Sequence, residues 1–291
     1  MAPIRKESVG DKVFVTAITA VLIAVSLLAL YPVINTAAVS LSSGSVADRR
    51  QVFLWPRDVT VSAWQVVVGS QSLWRSLLNT AFVAGVGSLL SLGFTAVMAY
   101  PLANKKFRFR GFVMLLVVFS MICRYPIIPY FLTVRSYGLM NTLWVLIVTH
   151  LLVAYNLVIM RTFFQQLPEE MEESAVIDGA NHLRILVSIT LPLSKPVLAT
   201  LGLFFAVSYW NLFLHPMLFL QKPDLMTLQV KLRSMLQTLA SETDARQEVA
   251  TFSTYTVQSA AIMFATIPIL LVYPFLQRYF VKGAMLGSVK G

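Results

Sequence analysis

The sequence predicts an all-α, polytopic membrane protein with six transmembrane helices, and three observations lead there. Hydrophobic residues make up 57% of the 291 positions and charged residues only 12%, against about 25% charged in soluble domains. Six stretches reach or approach the run of about 20 apolar residues that a helix needs to cross a hydrocarbon core of about 30 Å. All thirteen Asp and Glu residues fall outside those stretches.

The six stretches are residues 13–41, 77–103, 111–134, 142–164, 192–220 and 256–280. The first follows Arg5 and Lys6, as a secretory signal would, but its apolar run exceeds the roughly 7 to 15 residues of a signal core, so it is expected to stay attached. Orientation follows from the short loops, because an excess of Lys and Arg marks the cytoplasmic side. The hairpin KKFRFR, residues 105–110, carries four cations in six positions, whereas the turn at 135–141 carries only Arg135. The hairpin, both termini and the loop 165–191 are therefore expected on the cytoplasmic side, and the segments 42–76 and 221–255 outside. Arg5, Lys6 and Lys12 at one end and Arg278, Lys282 and Lys290 at the other agree with that orientation.

Several function classes are disfavoured at this level. The net charge of +10 is scattered between apolar blocks rather than gathered on one face, which argues against nucleic acid. Cys123 is the single cysteine, so neither an internal disulfide nor a cysteine metal cluster is expected. The chain has no phosphate-binding G-x-x-x-x-G-K-[ST] loop and no H-E-x-x-H or G-x-S-x-G pattern; His150, His182 and His215 lie far apart in sequence. No metal, cofactor or catalytic residue is expected on this chain. A carboxylate-based, ion-coupled carrier is disfavoured by the lack of acidic groups within the spans.

Acidic residues concentrate instead in EESAVIDGA, residues 172–180, within the 165–191 loop. Pro168 suits a helix's first turn, and Glu169 and Glu170 complement the dipole at that end. A short helix is expected through Ile177, followed by a sharp redirection at Gly179. A second short helix, Asn181 to Thr190, then leads to Pro192 at the start of the fifth span. Such a knob offers small residues (Ser174, Ala175, Gly179, Ala180) for close approach by another protein and acidic ones (Glu172, Glu173, Asp178) for pairing with its cations. The alternative is an ordinary solvated loop.

Within the spans, Arg124 stands thirteen residues into the third, about 20 Å from the cytoplasmic edge at 1.5 Å per residue. Tyr209, Trp210 and Asn211 lie at comparable depth in the fifth, and His150 somewhat nearer the outside in the fourth. With Tyr125 beside Arg124, these are the candidate residues of a solute path: aromatic faces and amides suit sugars, and an Arg fork suits a carboxylate. The structural alternatives stay open, namely that Arg124 snorkels or binds backbone carbonyls freed near Pro126 and Pro129, and that Asn211 and His150 only bond neighbouring helices.

The loop spacing carries a resemblance. Glu173-Ser174-Ala175, three residues, Gly179, nine residues, Ile189, then Leu191-Pro192 resembles the EAA signature of permease subunits in ABC importers, with Ser174 in place of the first Ala. GLMNTLW (138–144), RTFFQQLPEEMEE (161–173), YWNLF (209–213) and the tail QRYFVKG resemble the maltose-permease-like, carbohydrate-importing branch. LPLSKPVLATLGLFFAVSYWN and LQVKLR resemble permeases for uronate-containing, alginate-like oligosaccharides. The resemblance implies a division into an N-terminal span and extracytoplasmic loop (1–72) and an importer transmembrane domain (73–291) whose coupling loop is 168–192. It implies a bacterial inner-membrane location, a second homologous permease subunit, two ATPase subunits holding ATP and Mg²⁺, and an extracytoplasmic solute-binding protein. The outer segment 221–255, with Lys222, Lys231, Arg233 and Arg246, is either a contact for that binding protein or a solvated loop. The solute would be an oligosaccharide, either acidic or neutral.

Overall fold

The computed structural model describes residues 9–123, 125–242 and 253–284, of which residues 9, 238–242 and 272–284 are described by their backbone alone. Among the described residues there is no strand. The helices are α1 (Val9–Ser40), α2 (Gly44–Asp48), α3 (Ser62–Gly69), α4 (Gln71–Ala103), α5 (Arg110–Ile122), α6 (Ile127–Ser136), α7 (Trp144–Val148), α8 (Ala154–Phe164), α9 (Glu169–Ile177), α10 (His182–Ile185), α11 (Leu191–Leu193), α12 (Lys195–Trp210), α13 (Leu214–Phe219), α14 (Leu228–Glu242) and α15 (Thr254–Ala284). A π-helical turn, Leu186–Thr190, joins α10 to α11, and a 3₁₀ turn, Pro223–Leu225, precedes α14.

Three described helices, Gly10–Ser40, Gln71–Ala103 and Thr254–Leu271, are long and apolar enough to cross a membrane, and two bent pairs raise the number to five. The first, second and sixth expected spans therefore appear as continuous helices. The third is divided into α5 and α6, as Pro126 and Pro129 suit, since proline removes a helical donor. The fourth is divided into α7 and α8 by an extended segment around Val153, so neither piece is long enough to span by itself. The fifth bends by 86° between His182–Leu193 and Lys195–Trp210.

The chain forms two compact units, Met1–Ser70 with Ser234–Thr266, and Gln71–Arg233 with Ile267–Gly291. In the first, α1 shows apolar side chains to its surroundings over most of its length, among them Phe14, Leu22 and Leu28, as a helix bathed in lipid does. Its end is fastened by Asn35 Nδ2, which donates to the carbonyls of Val52 and Phe53 at 3.0 and 2.7 Å, and by Trp64 Nε1, which donates to Ser40 Oγ at 3.2 Å. Ala38, Val39, Ala47 and Val52 form the small core beneath these bonds.

In the second unit, α4 is the central post, packed against α12 and α8. Its buried stripe repeats a small residue every fourth position: Gly87, Ser91, Thr95 and Ala99. Without a hydrophobic drive between helices in lipid, close backbone approach over small residues is what holds them. The fit is tight at Gly87, where an added Cβ would lie 2.7 Å from Tyr209 Cζ. One core cluster, including Val83, Ile147, Phe205, Tyr209 and Phe219, fills one end of this bundle; another, including Ala99, Leu157, Met160, Leu186 and Leu201, fills the end nearer the 165–191 loop.

Candidate functional site

The 165–191 loop folds as its punctuation suggests. Pro168 sits in extended backbone as the cap of α9, which opens with three glutamates in its first turn, at the positive end of the helix dipole. The helix stops at Gly179, whose φ of +76° is a left-handed conformation. The Gly179 N–H bonds to Val176 O at 3.0 Å and the Ala180 N–H to Ala175 O at 2.9 Å, the paired bonds of a Schellman stop. Asn181 then caps α10, its Oδ1 accepting from the Arg184 N–H at 2.8 Å.

This knob is tied to the end of α4. Tyr100 donates its hydroxyl to Glu172 Oε1 at 2.9 Å, and Asn104 Nδ2 donates to the same oxygen at 3.3 Å. Lys105 pairs with Glu169, and Lys106 lies 3.9 Å from Glu173. The Lys105 ammonium, first by its hydrogen bond and then by its charge, holds the Glu169 carboxyl below its ordinary range. Between knob and post runs an open groove of about 760 Å³, lined among others by Tyr100, Asn104, Phe164, Glu172 and Ile185.

The loop residues named from sequence thus divide by role. Glu172 spends its carboxylate inside the chain, Ala175 is buried, and Ser174 donates to its own helix at Glu170 O, 2.8 Å away. Glu173, Asp178 and Gly179 are exposed, and Ala180 is partly so. Large apolar side chains surround them: Ile177 is 86% exposed and Leu183 67%, with Val176 and Val187 also outward. Exposed apolar side chains thus cluster beside the carboxylates of Glu173 and Asp178, a larger bare patch than a merely solvated loop requires. The sequence reading passed over Tyr100, Asn104, Lys105 and Lys106. The signal is present in KKFRFR, whose two lysines complement the run EEMEE.

The expected solute-path residues are brought together in part. Tyr209 is 1% exposed, its hydroxyl 2.8 Å from Ser91 Oγ and donating to Ile147 O at 3.2 Å. It is therefore a packed strut between α12, α4 and α7. His150 Nε2 lies 2.7 Å from Ser208 Oγ. Rings link these elements in series: Tyr125 to Tyr130 at 4.3 Å, Tyr130 to His215 at 5.8 Å, His215 to His150 at 6.2 Å and His150 to Tyr209 at 5.1 Å. Tyr130 and His215 are members that spacing alone did not single out. Trp210 is partly buried with its Nε1 unpaired among the described residues. Asn211 is exposed and donates to Val207 O at 2.8 Å. Arg124 lies outside the described residues.

Residues 91–285 match the family described as "binding-protein-dependent transport system inner membrane component". The chain is 39% identical over 269 residues to Protein LplC of Bacillus subtilis (strain 168), covering 92% of this chain and 91% of that protein. It is 37% identical over 284 residues to the polygalacturonan/rhamnogalacturonan transport system permease protein YtcP of the same organism, covering 97% and 99%. Among solved structures, it matches a chain of the crystal structure of a bacterial ABC transporter involved in the import of the acidic polysaccharide alginate. That match has a TM-score of 0.86 and 32% identity and covers 95% of this chain and 99% of the other.

Proposed function

Because the chain belongs to the family of inner membrane components of binding-protein-dependent transport systems, we propose that it is the permease subunit of an ATP-driven importer for acidic, uronate-containing oligosaccharides. The coarser part follows from the family and its relatives: a multi-pass inner-membrane transport subunit of a carbohydrate ABC importer, and not an enzyme. An ion-coupled carrier has no support there.

The observation that carries the coupling reading is the knob α9–α10, with Ile177 and Leu183 bare at its tip beside Glu173 and Asp178. Such a surface suits insertion into a cleft on an ATPase subunit, where the apolar tip is desolvated and the carboxylates meet cations. The rim consists of Glu173, Ser174, Asp178, Gly179 and Ala180, whereas Glu172 and Ala175 hold the knob's shape. Two ATPase subunits, carrying the ATP and Mg²⁺, a second homologous permease and an extracytoplasmic binding protein complete the assembly in this reading. The loop 165–191 and both termini face the cytoplasm. Motion of the knob passes through the joint at Ser194 to α12 and so to the ring series around His150 and Tyr209.

The acidic solute is supported by the relative named for polygalacturonan and rhamnogalacturonan transport and by the alginate importer, both matched over nearly the whole chain. The test is ATP-dependent uptake in proteoliposomes holding the full assembly, comparing uronate oligosaccharides with neutral ones of equal length. Preference for the uronates is expected. Equal or reversed uptake rejects the acidic solute, and accumulation without nucleotide rejects the ATP-driven importer.

A further inference from the structure

The hairpin joining α4 to α5 has two unlike faces. Lys105 and Lys106 turn toward α9 and its glutamates. Arg108 and Arg110 have no acidic partner among the described residues. Arg110 is the first residue of α5, where a cation opposes the helix dipole rather than complementing it, so its charge is not there to stabilise the helix. Phe107 and Phe109 alternate with these arginines, their rings 6.3 Å apart edge to face; Phe109 is 63% exposed, and Phe112, one turn further on, is 62% exposed.

Bare aromatics between unpaired guanidinium groups, in a link of only six residues between two apolar helices, cannot reach far from the lipid: six extended residues span about 20 Å at most. Phe rings flanked by cations bury shallowly at the boundary between headgroups and acyl chains, and each Lys or Arg beside a membrane helix adds about 1 kcal/mol of attraction to anionic lipid. We propose that Phe107, Arg108, Phe109 and Arg110 form a binding face for anionic phospholipid headgroups of the adjoining leaflet, while Lys105 and Lys106 on the same hairpin hold the coupling knob. The hairpin thereby fixes the knob's height above the bilayer. This rests on the reading above that the hairpin and the knob lie on the cytoplasmic side.

The test uses the complete importer assembly carrying Phe109→Trp in nanodiscs containing acyl-brominated phosphatidylglycerol or acyl-brominated phosphatidylcholine. The tryptophan signal is taken as the difference from the unsubstituted assembly. Stronger quenching by the anionic lipid is expected. Adding R108Q/R110Q should abolish a preference of about 25-fold, as two interfacial cations provide, and high salt should weaken it. Equal quenching by both lipids, or an anionic preference that survives R108Q/R110Q, overturns the proposal. If that double variant does not assemble, an anionic preference of the F109W assembly that salt leaves unchanged overturns it as well. Loss of ATPase co-purification in R108Q/R110Q without any lipid preference in its parent would make the hairpin a protein contact instead. The readout does not involve transport, so an assembly that imports solute yet shows no anionic preference overturns the lipid face alone, whereas an assembly that fails to import bears on the importer reading.

Discussion

Tyr100, near the end of α4, donates a 2.9 Å hydrogen bond to Glu172 in the middle of α9, tying the central post of the bundle to the knob that projects from it. A donor to a carboxylate contributes about 1.5 to 3 kcal/mol when shielded, and less here because Glu172 is only partly buried. Tyr100→Phe is expected to leave ATPase subunits bound but to lower solute-stimulated hydrolysis by about fivefold, equivalent to about 1 kcal/mol. Purified assemblies with and without solute check it, and unchanged stimulation would remove the tether from the coupling path.

Ile177, being 86% exposed, contributes little to the fold of this chain. Ile177→Ala should leave thermal stability of the permease unchanged while weakening its hold on the ATPase by about 1 to 2 kcal/mol, the lost burial of an aliphatic side chain. A pull-down titration set beside a melting curve separates the two effects. A lowered melting point with normal association contradicts the docking role.

At Gly179 an added Cβ meets nothing within 4 Å, yet φ is +76°. Any penalty of substitution is therefore of the backbone, about 1 to 2 kcal/mol for an ordinary residue. Gly179→Ala should reduce ATPase association by about tenfold, and Gly179→Asn should recover much of it, since Asn tolerates this region. Equal loss in both variants would point to side-chain volume at the contact.

Gly87 has the opposite character. Its added Cβ would sit 2.7 Å from the Tyr209 ring, and that ring is buried and fastened to Ser91 and Ile147. Overpacking of this kind costs about 1 to 3 kcal/mol. Gly87→Ala should lower the melting temperature of the detergent-purified assembly, whereas Gly93→Ala, with open space around it, should not.

Arg124, which lies outside the described residues, is the sequence's candidate for binding a solute carboxylate. Arg124→Gln is expected to lower uptake of uronate oligosaccharides by about tenfold or more, the worth of a charge-assisted bond, and to leave neutral ones nearly unchanged. Uptake competition between the two solutes measures this, and equal losses would assign Arg124 to the scaffold.

What sequence could specify was local. Pro168, Gly179 and Asn181 act on their own few residues, and the knob's two helices, stop and cap stand where those residues put them. The long helices α1, α4 and α15 were legible from apolar run length in the same way. Breaks were harder, because an apolar run reads alike whether straight or interrupted: nothing in 142–164 marks the extended segment before Ala154. The facing of side chains was hardest. Tyr209 and Asn211 are two residues apart at one helix end, and it is packing on Gly87 with the hydroxyl bonds to Ser91 and Ile147 that makes Tyr209 interior while Asn211 stays exposed. Glu172 and Glu173 are neighbours too, and their different uses depend on Tyr100, some seventy positions earlier.

The 86° angle between His182–Leu193 and Lys195–Trp210 makes the two arms of this chain an elbow crank. A push directed along the shorter arm would meet the longer one sideways at Ser194 rather than as thrust along its axis. Because Tyr209 fastens the far tip of the longer arm to Ser91 and Ile147, that tip is the anchored end, and a sideways displacement of the arm would be largest near Ser194.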